Sequence, residues 1–350
     1  MAELIELPPS GTPRASIVIV TTVNAAGLER CLMSLPAQAA DAPPFETIVV
    51  LNGAEDDVRE LATRRLRGAK VVESLANRGF AGGSNLGRTV ATGELLVLLH
   101  DDAEAQPGWL AELVRCADER PEAGAVGGRV HHPDGTLQLA GAVLWRDGST
   151  TSIGRAHGDF RERRAVDYAG SASLLVRAAT WDAVGGMDDR FYPAYYVDAD
   201  LAMAIRADGQ AVVYEPRAQI LHYRGASSTP RARTFASARN RERFCRKWAR
   251  ELEAQDPPGE GADAIERALR RARIEAGRLR ERAPVRPPAI PRPAAHGAEA
   301  DRRFLRMDRE LRDALEAQLT EEVETLHEVI RRKDAELRAQ EEVLRRAAGH

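Results

Sequence analysis

Short apolar runs alternate with apolar residues at helical spacing through the first hundred positions. Ser16-Ile17-Val18-Ile19-Val20 reads as a strand, and Leu28, Cys31, Leu32 and Leu35 follow on one face of a helix. Thr47-Ile48-Val49-Val50-Leu51 repeats the strand signal. Asp56 and Asp57 then precede Val58, Leu61, Ala62 and Leu66 on a second amphipathic face. Lys70-Val71-Val72-Glu73 predicts a third strand, and a cluster of Gly79, Gly82, Gly83 and Gly87 leads into a helix through Val90 and Ala91. Leu95-Leu96-Val97-Leu98-Leu99 is apolar without interruption, the pattern of a strand buried on both faces. Strands alternating with helices predict an α/β fold, a mostly parallel sheet with right-handed crossovers.

From Gly124 to Val176 the pattern loosens into short strands joined by Pro133-Asp134-Gly135 and Arg146-Asp147-Gly148, which read as hairpin connections in an antiparallel addition to the sheet. Ser173-Leu174-Leu175-Val176 and Ala211-Val212-Val213-Tyr214 predict further strands, with a helix carrying Leu201, Ala202, Ala204 and Ile205 between them. The globular body is expected to close near Arg250. Pro257-Pro258-Gly259, a charged helical stretch over 262–282, and Pro284, Pro287, Pro288, Pro291 and Pro293 read as a helical and proline-rich linker over 251–300. Over 301–350 nearly every residue is a helix former. Val323, Ile330, Leu337 and Leu344 recur every seven positions, with Leu319 and Leu326 on the same seam, the signature of a coiled coil. Lys333 and Gln340 interrupt its second seam position, so homo-oligomerisation through this helix and a lone solvated helix both fit the pattern. Residues 1–14 are expected to be a disordered N-terminus.

The 350-residue chain has a hydrophobic content of 43%, enough for a real core, and a net charge of -3. No basic field calls for nucleic acid as partner. Cys31, Cys116 and Cys245 are widely spaced, without metal-type spacing or an even count, and fit reduced thiols in a cytoplasmic setting. No window approaches the roughly 18 apolar residues of a membrane span, so membrane contact is expected to be peripheral, at the inner face of the cell membrane.

The strongest chemical signal is the junction where the apolar run 95–99 meets His100-Asp101-Asp102. Ligands of open α/β sheets bind beyond the carboxyl ends of the strands, where paired carboxylates suit a divalent cation and a phosphorylated substrate. Equally, the two aspartates could cap the helix that Pro107 opens.

At the level of motifs the chain resembles the family 2 glycosyltransferases over about Ser16 to Trp248. Asn77-Arg78-Gly79-Phe80-Ala81-Gly82-Gly83-Ser84-Asn85-Leu86-Gly87, then Gly93-Glu94, Leu95 to Asp102 and Pro107-Gly108-Trp109-Leu110, is similar to the donor-binding half. Val184-Gly185-Gly186-Met187-Asp188, Phe191-Tyr192, Tyr195 to Leu201 and Tyr214-Glu215-Pro216 through His222 resemble the acceptor half. The resemblance implies a GT-A fold over 15–250, with a nucleotide-sugar-binding half at 15–120 and an acceptor half at 121–250. It further implies a nucleotide-sugar donor, a divalent metal (Mn2+ or Mg2+), and inverting transfer to a hydroxyl of a glycan, lipid-linked or other cell-envelope acceptor.

By position, Asp102 and His222 correspond to metal ligands, and Asp101 to a ribose contact or an aid to the metal. Asn52, Asn77, Gly79, Gly82, Gly83 and Asn85 fall on the nucleotide-sugar side. The glycines could admit the diphosphate to the backbone or merely form a flexible turn. Asp198 matches the general base that takes the acceptor proton. Asp200, two residues on, is expected to brace the helix rather than share that role. His100 stands where the family often has Asn, Asp or Thr, and receives no role. Two positions depart from the pattern: Leu51 replaces an Asp near the nucleotide base, and Val197 the Glu that usually precedes the base. They motivate a competing reading, a catalytically decayed binding module serving as a coiled-coil scaffold. Trp145, Trp181, Tyr192, Tyr195 and Tyr196 could face sugar rings or pack a core.

Overall fold

The computed structural model describes residues 4–9, 11–154, 157, 160–224, 229–279 and 298–347, without the side chains of 326, 329 and 334–347. A short strand β1 (Ile5–Glu6) precedes β2 (Ala15–Thr21) and α1 (Ala25–Met33), which Asn24 caps by accepting from the Gly27 amide at 3.0 Å. β3 (Phe45–Asn52) and α2 (Asp56–Glu60) lead through a π-type turn to β4 (Leu66–Arg67), β5 (Ala69–Ser74), α3 (Gly79–Arg88) and β6 (Leu95–Leu99). β7 (Ala103–Ala105), α4 (Trp109–Glu119) and β8 (Ala123–His131) follow. The looser region holds β9 (Leu137–Leu139), β10 (Ala142–Leu144), β11 (Thr150–Ser152) and β12 (Arg164–Ala165), then β13 (Ser173–Arg177), α5 (Ala178–Val184), α6 (Val197–Ala207) and β14 (Ala211–His222). The remainder is helical: α7 (Pro230–Lys247), α8 (Ala249–Leu252), α9 (Gly261–Leu279) and α10 (Ala298–Ala347).

The main sheet runs β12-β14-β8-β13-β6-β2-β3-β5, with β7 paired to β14 and β9 to β8. β5, β3, β2 and β6 are parallel, whereas β13 is antiparallel to both of its neighbours. Both predicted hairpins form, β8 with β9 and β10 with β11. The unbroken apolar strands are explained by two cores. Ile17, Ile19, Val49, Val97 and Leu99 face α1 and α4, while Val18, Ile48, Val50, Leu96 and Leu98 face the side of α3, α5 and α6. Chain order reverses between β2 and β6, so their carboxyl ends open on a crevice, the place where such sheets receive ligands.

Several boundaries differ from expectation. The N-terminal 1–14 is not disordered throughout: Ile5 and Glu6 pair with Leu66 and Arg67, and Ile5 and Leu7 are buried. Leu66 therefore belongs to that strand pair, not to a helix. The body does not close near Arg250, nor is 251–300 simply a linker. α9 buries Ala264, Ile265, Ala268 and Leu269, spaced along one helical face, and Arg271 reaches the buried Asp167 at 2.6 Å. The prolines 284–293 lie outside the described residues. A first compact unit spans Met1–Phe304, and Leu305–His350 forms a second. Within the second, α10 continues as helix with Leu305, Val323 and Ile330 exposed; Leu326, Leu337 and Leu344 of the predicted seam lie outside the described side chains.

Candidate metal and donor site

β6 delivers His100, Asp101 and Asp102 into the crevice as it leaves the sheet. The helix-capping alternative is excluded for both aspartates, because β7 intervenes and α4 begins only at Trp109. β7 pairs antiparallel with β14, setting His222 opposite Ala103, and the Tyr223 amide donates to the Asp102 carbonyl at 3.0 Å. That register brings together side chains 122 positions apart.

Asp102 Oδ1 lies 3.0 Å from His222 Nε2, His100 Nδ1 lies 3.3 Å from the same nitrogen, and His100 Nδ1 stands 3.9 Å from Asp102 Oδ1. The donor atoms of His100, Asp102 and His222 all fall within 4.8 Å of one another. Sequence reasoning assigned Asp102 and His222 but left out His100. Its only sequence signal was position, directly beside the aspartates.

The surroundings prepare these groups for a cation. Gln138 Oε1 sits 2.7 Å from His222 Nδ1, while the same amide's Nε2 donates to the His222 carbonyl at 3.3 Å. The Nδ1 proton is thereby fixed and Nε2 turned toward Asp102. A lone pair facing a carboxylate oxygen at 3.0 Å is repulsive unless the ring takes a second proton or a cation sits among them. Burial, aided by His222, lowers His100 to about 4, so its imidazole is neutral and free to coordinate. Burial opposes the Asp102 charge, yet His222 holds this carboxyl below the ordinary carboxylate range. Two imidazoles and a carboxylate suit Mn2+-like ions, so the residues present fit the metal. Beside them burial pushes Asp101 up to about 7, with the Asp102 charge adding to the shift.

Asp198 lies in the first turn of α6 and its Oδ2 accepts from the Ser171 amide at 3.3 Å. The Ser171 hydroxyl is in turn 3.3 Å from His100 Nε2, so a single residue separates Asp198 from the histidine-aspartate trio. Burial raises the Asp198 pKa, and Oδ1 is shielded from solvent without a hydrogen-bond partner. α6 is entered through Tyr195 and Tyr196, both left-handed at φ 72° and 64°. Asn240 on α7, wholly buried, holds this bend by donating to the carbonyls of Phe191 and Ala194 at 2.8 Å and of Tyr195 at 3.2 Å. Asp200 points away into a pairing with Lys247 at 2.7 Å and Trp248 Nε1 at 2.7 Å, a bracing role.

Most of the predicted donor-side residues do other work. Asn52 is 2% exposed, and its amide is consumed by the Asn77 side chain, the Gly79 carbonyl and the Arg78 amide. Asn85 is used up on both backbone groups of Met187, at 2.7 and 3.0 Å. A β-carbon on Gly83 would stand 2.6 Å from Val20 Cγ1, and one on Gly82 2.8 Å from the Phe304 ring. These glycines let α3 approach the sheet and α10 closely; the space beside them is filled by protein, not left for a diphosphate. Gly79, at φ +65°, turns against the Pro193 carbonyl. Asn77 remains exposed while its Oδ1 accepts from the Gly79 amide at 2.8 Å. Phe80 carries this turn to the site, its ring 5.0 Å from that of His100.

Trp145, Trp181 and Tyr192 are core residues, while Tyr195 and Tyr196 are half-buried. Leu51 and Val197, at 1% and 3% exposure, are likewise absorbed into the core.

Residues 16–184 match the model of the family described as glycosyl transferase family 2. An uncharacterized protein of Sinorhizobium fredii is 31% identical over 63% of this chain and 25% of its own length. The O-antigen biosynthesis protein RfbC of Myxococcus xanthus is 29% identical over 64% of this chain and 18% of its own. The chain thus spans a quarter or less of these two relatives. The N-acetylglucosaminyl-diphospho-decaprenol L-rhamnosyltransferase of Mycobacterium tuberculosis is 28% identical over 61% of this chain and 76% of its own. Among solved structures, the mannosyltransferase PcManGT of Pyrobaculum calidifontis, in complex with GDP-Man and Mn2+, superposes with a TM-score of 0.51 at 17% identity, over 87% of this chain and 82% of that one. GalNAc-T7 with UDP, GalNAc and Mn2+ gives 0.53 at 14% identity, over 77% and 56%. These two likenesses are of fold.

Proposed function

The chain carries a family 2 glycosyltransferase domain of GT-A fold, and from that premise we propose an inverting, metal-dependent transferase. It moves a sugar from a nucleoside-diphosphate sugar to a hydroxyl of a glycan, lipid-linked or other cell-envelope acceptor. The observation that carries this reading is the meeting of His100, Asp102 and His222 at one strand end, one residue away from Asp198. A divalent cation held by the trio supplies positive charge for the diphosphate that departs.

Asp198 removes the proton of the acceptor hydroxyl as that oxygen bonds to the anomeric carbon from the face opposite the leaving group. The bond to the diphosphate breaks in the same step, and the proton ends on Asp198. The raised pKa suits a carboxyl that must accept a proton, and the Ser171 amide holds it in place. Neutral His100 keeps a lone pair on the site at neutral pH, and Gln138 orients the His222 ring toward it. The lipid-linked acceptor draws support from the named activity of the mycobacterial relative. No helix among the described residues is long and apolar enough to cross a membrane, which accords with peripheral action at a membrane face.

The test is to offer the purified protein a panel of UDP-, GDP- and dTDP-sugars with Mn2+ or Mg2+, scoring hydrolysis, transfer and thermal stabilisation. Metal-dependent turnover of one donor class is expected. Neither binding nor turnover of any donor would overturn the proposal.

A further inference from the structure

The first turns of α10 belong to the catalytic unit and make contacts that the transferase chemistry has not yet used. Asp301 Oδ1 accepts from Ser74 Oγ at 2.8 Å and from Arg78 Nε and Nη2 at 3.1 and 2.8 Å. Arg303 forms a two-pronged pair with Asp189, at 2.7 and 2.8 Å. Phe304, 2% exposed, fills the space that Gly82 leaves, lies under the Arg78 guanidinium and tilts against Tyr192. These anchors grip both halves of the fold: Ser74, Arg78 and Gly82 on one side, Asp189 and Tyr192 on the other. Between them Phe80 donates its amide to the Pro193 carbonyl at 2.8 Å and sets its ring on His100.

We infer that Asp301, Arg303 and Phe304 are positioning residues of the donor site: they clamp the Arg78–Gly82 turn against the Asp189–Pro193 loop and so hold Phe80 on His100. Arg78 is 4% exposed, and Asp301 accepts two of its guanidinium hydrogen bonds. Asp301→Asn weakens that grip on the Arg78 turn, which lets the turn swing outward and carries Phe80 off the metal trio. Removing Phe304 leaves the groove beside Gly82 unfilled and frees the same turn. Both changes leave the trio and Asp198 untouched. They therefore weaken donor and metal binding more than the chemical step.

The inference rests on the transferase reading, and the experiment separates the two. In the full-length chain, Asp301→Asn, Arg303→Gln and Phe304→Leu are assayed for KM of the nucleotide sugar, kcat, and the Mn2+ concentration giving half-maximal rate. KM and the Mn2+ requirement are expected to rise about five- to tenfold with kcat within about twofold. Asp301→Glu, which keeps the charge, should restore most of the loss, and Glu299→Gln at an exposed neighbour should change nothing. Arg303, at 33% side-chain exposure, is the substitution that folds if the buried ones do not. Wild-type values of KM and Mn2+ requirement in folded Asp301→Asn or Arg303→Gln overturn the inference while leaving the transferase standing. A wild-type chain inert toward every nucleotide sugar overturns both.

Discussion

Replacing Asp198 by asparagine should move activity and stability in opposite directions. The carboxylate is held by one amide, from Ser171, and its other oxygen is shielded from solvent with nothing to accept from. An unsatisfied buried acceptor costs about 1–3 kcal/mol, and more when it is charged. Asparagine keeps the Ser171 bond through its own oxygen and replaces a charged, partnerless acceptor by a neutral, partnerless donor, so a gain of about 1 kcal/mol is expected at pH 8. In a domain of this size that is about 2 °C of melting temperature per kcal/mol. The sign follows from linkage. The folded pKa lies above the unfolded value because of burial, so the penalty is absent below the unfolded pKa and fully present above the folded one. The advantage of Asp198→Asn should therefore vanish by about pH 3.5, under the ordinary aspartate pKa. Meanwhile kcat should fall by about 10²–10⁴-fold through loss of the base, and wild-type kcat/KM should decline as pH drops through the raised pKa. Urea melts at both pH values, run with chelator, and steady-state rates read each arm. A variant with kcat within threefold of wild type would refute the base, and one less stable at pH 8 would refute the burial argument.

His100→Ala removes a neutral donor from the trio and should raise the half-saturating Mn2+ concentration by at least about tenfold; an unchanged metal titration would remove His100 from the site. Gly83→Ala drives a methyl group to within 2.6 Å of Val20 Cγ1 and should destabilise the fold by about 1–3 kcal/mol in thermal melts. Its nucleotide-sugar KM should stay unchanged below the melting range, whereas a raised KM would return the glycine to the donor contact. Ending the chain after Arg250 strips Ile265 and Leu269 of α9 from the core, a loss of about 1.5–3 kcal/mol for each, and takes Arg271 from Asp167, which keeps Arg206 at 3.4 Å. A truncated chain melting within about 3 °C of full length would show that α9 is dispensable.

The sheet could be read because β2, β3 and β6 are covered on both faces, which forces apolar residues at every position rather than at alternate ones. Motif order proposed Asp102 and His222 together, and the fold sets them 3.0 Å apart. His100 was passed over, because Ser171 and His222 meet it only through pairing of β13 with β6 and β14 with β7. The glycines of α3 suggested an approach to the diphosphate or a flexible turn; the neighbours proved to be Val20 and Phe304, the latter remote in sequence. α9 escaped because its buried face is built largely of alanine amid charge and is flanked by prolines, which resembles a spacer. Asn52 and Asn85 sit where a ligand contact is expected, yet folding itself spends their amides on backbone groups.

The seam where Asn85 grips Met187 and Phe80 meets Pro193 bears on how such enzymes can be recombined. A hybrid joined near residue 120, pairing one parent's front with another's rear, would set mismatched side chains against those carbonyls and amides. Exchanging the rear half therefore calls for moving 77–85 and 185–193 as a matched set, however far apart they stand in the gene.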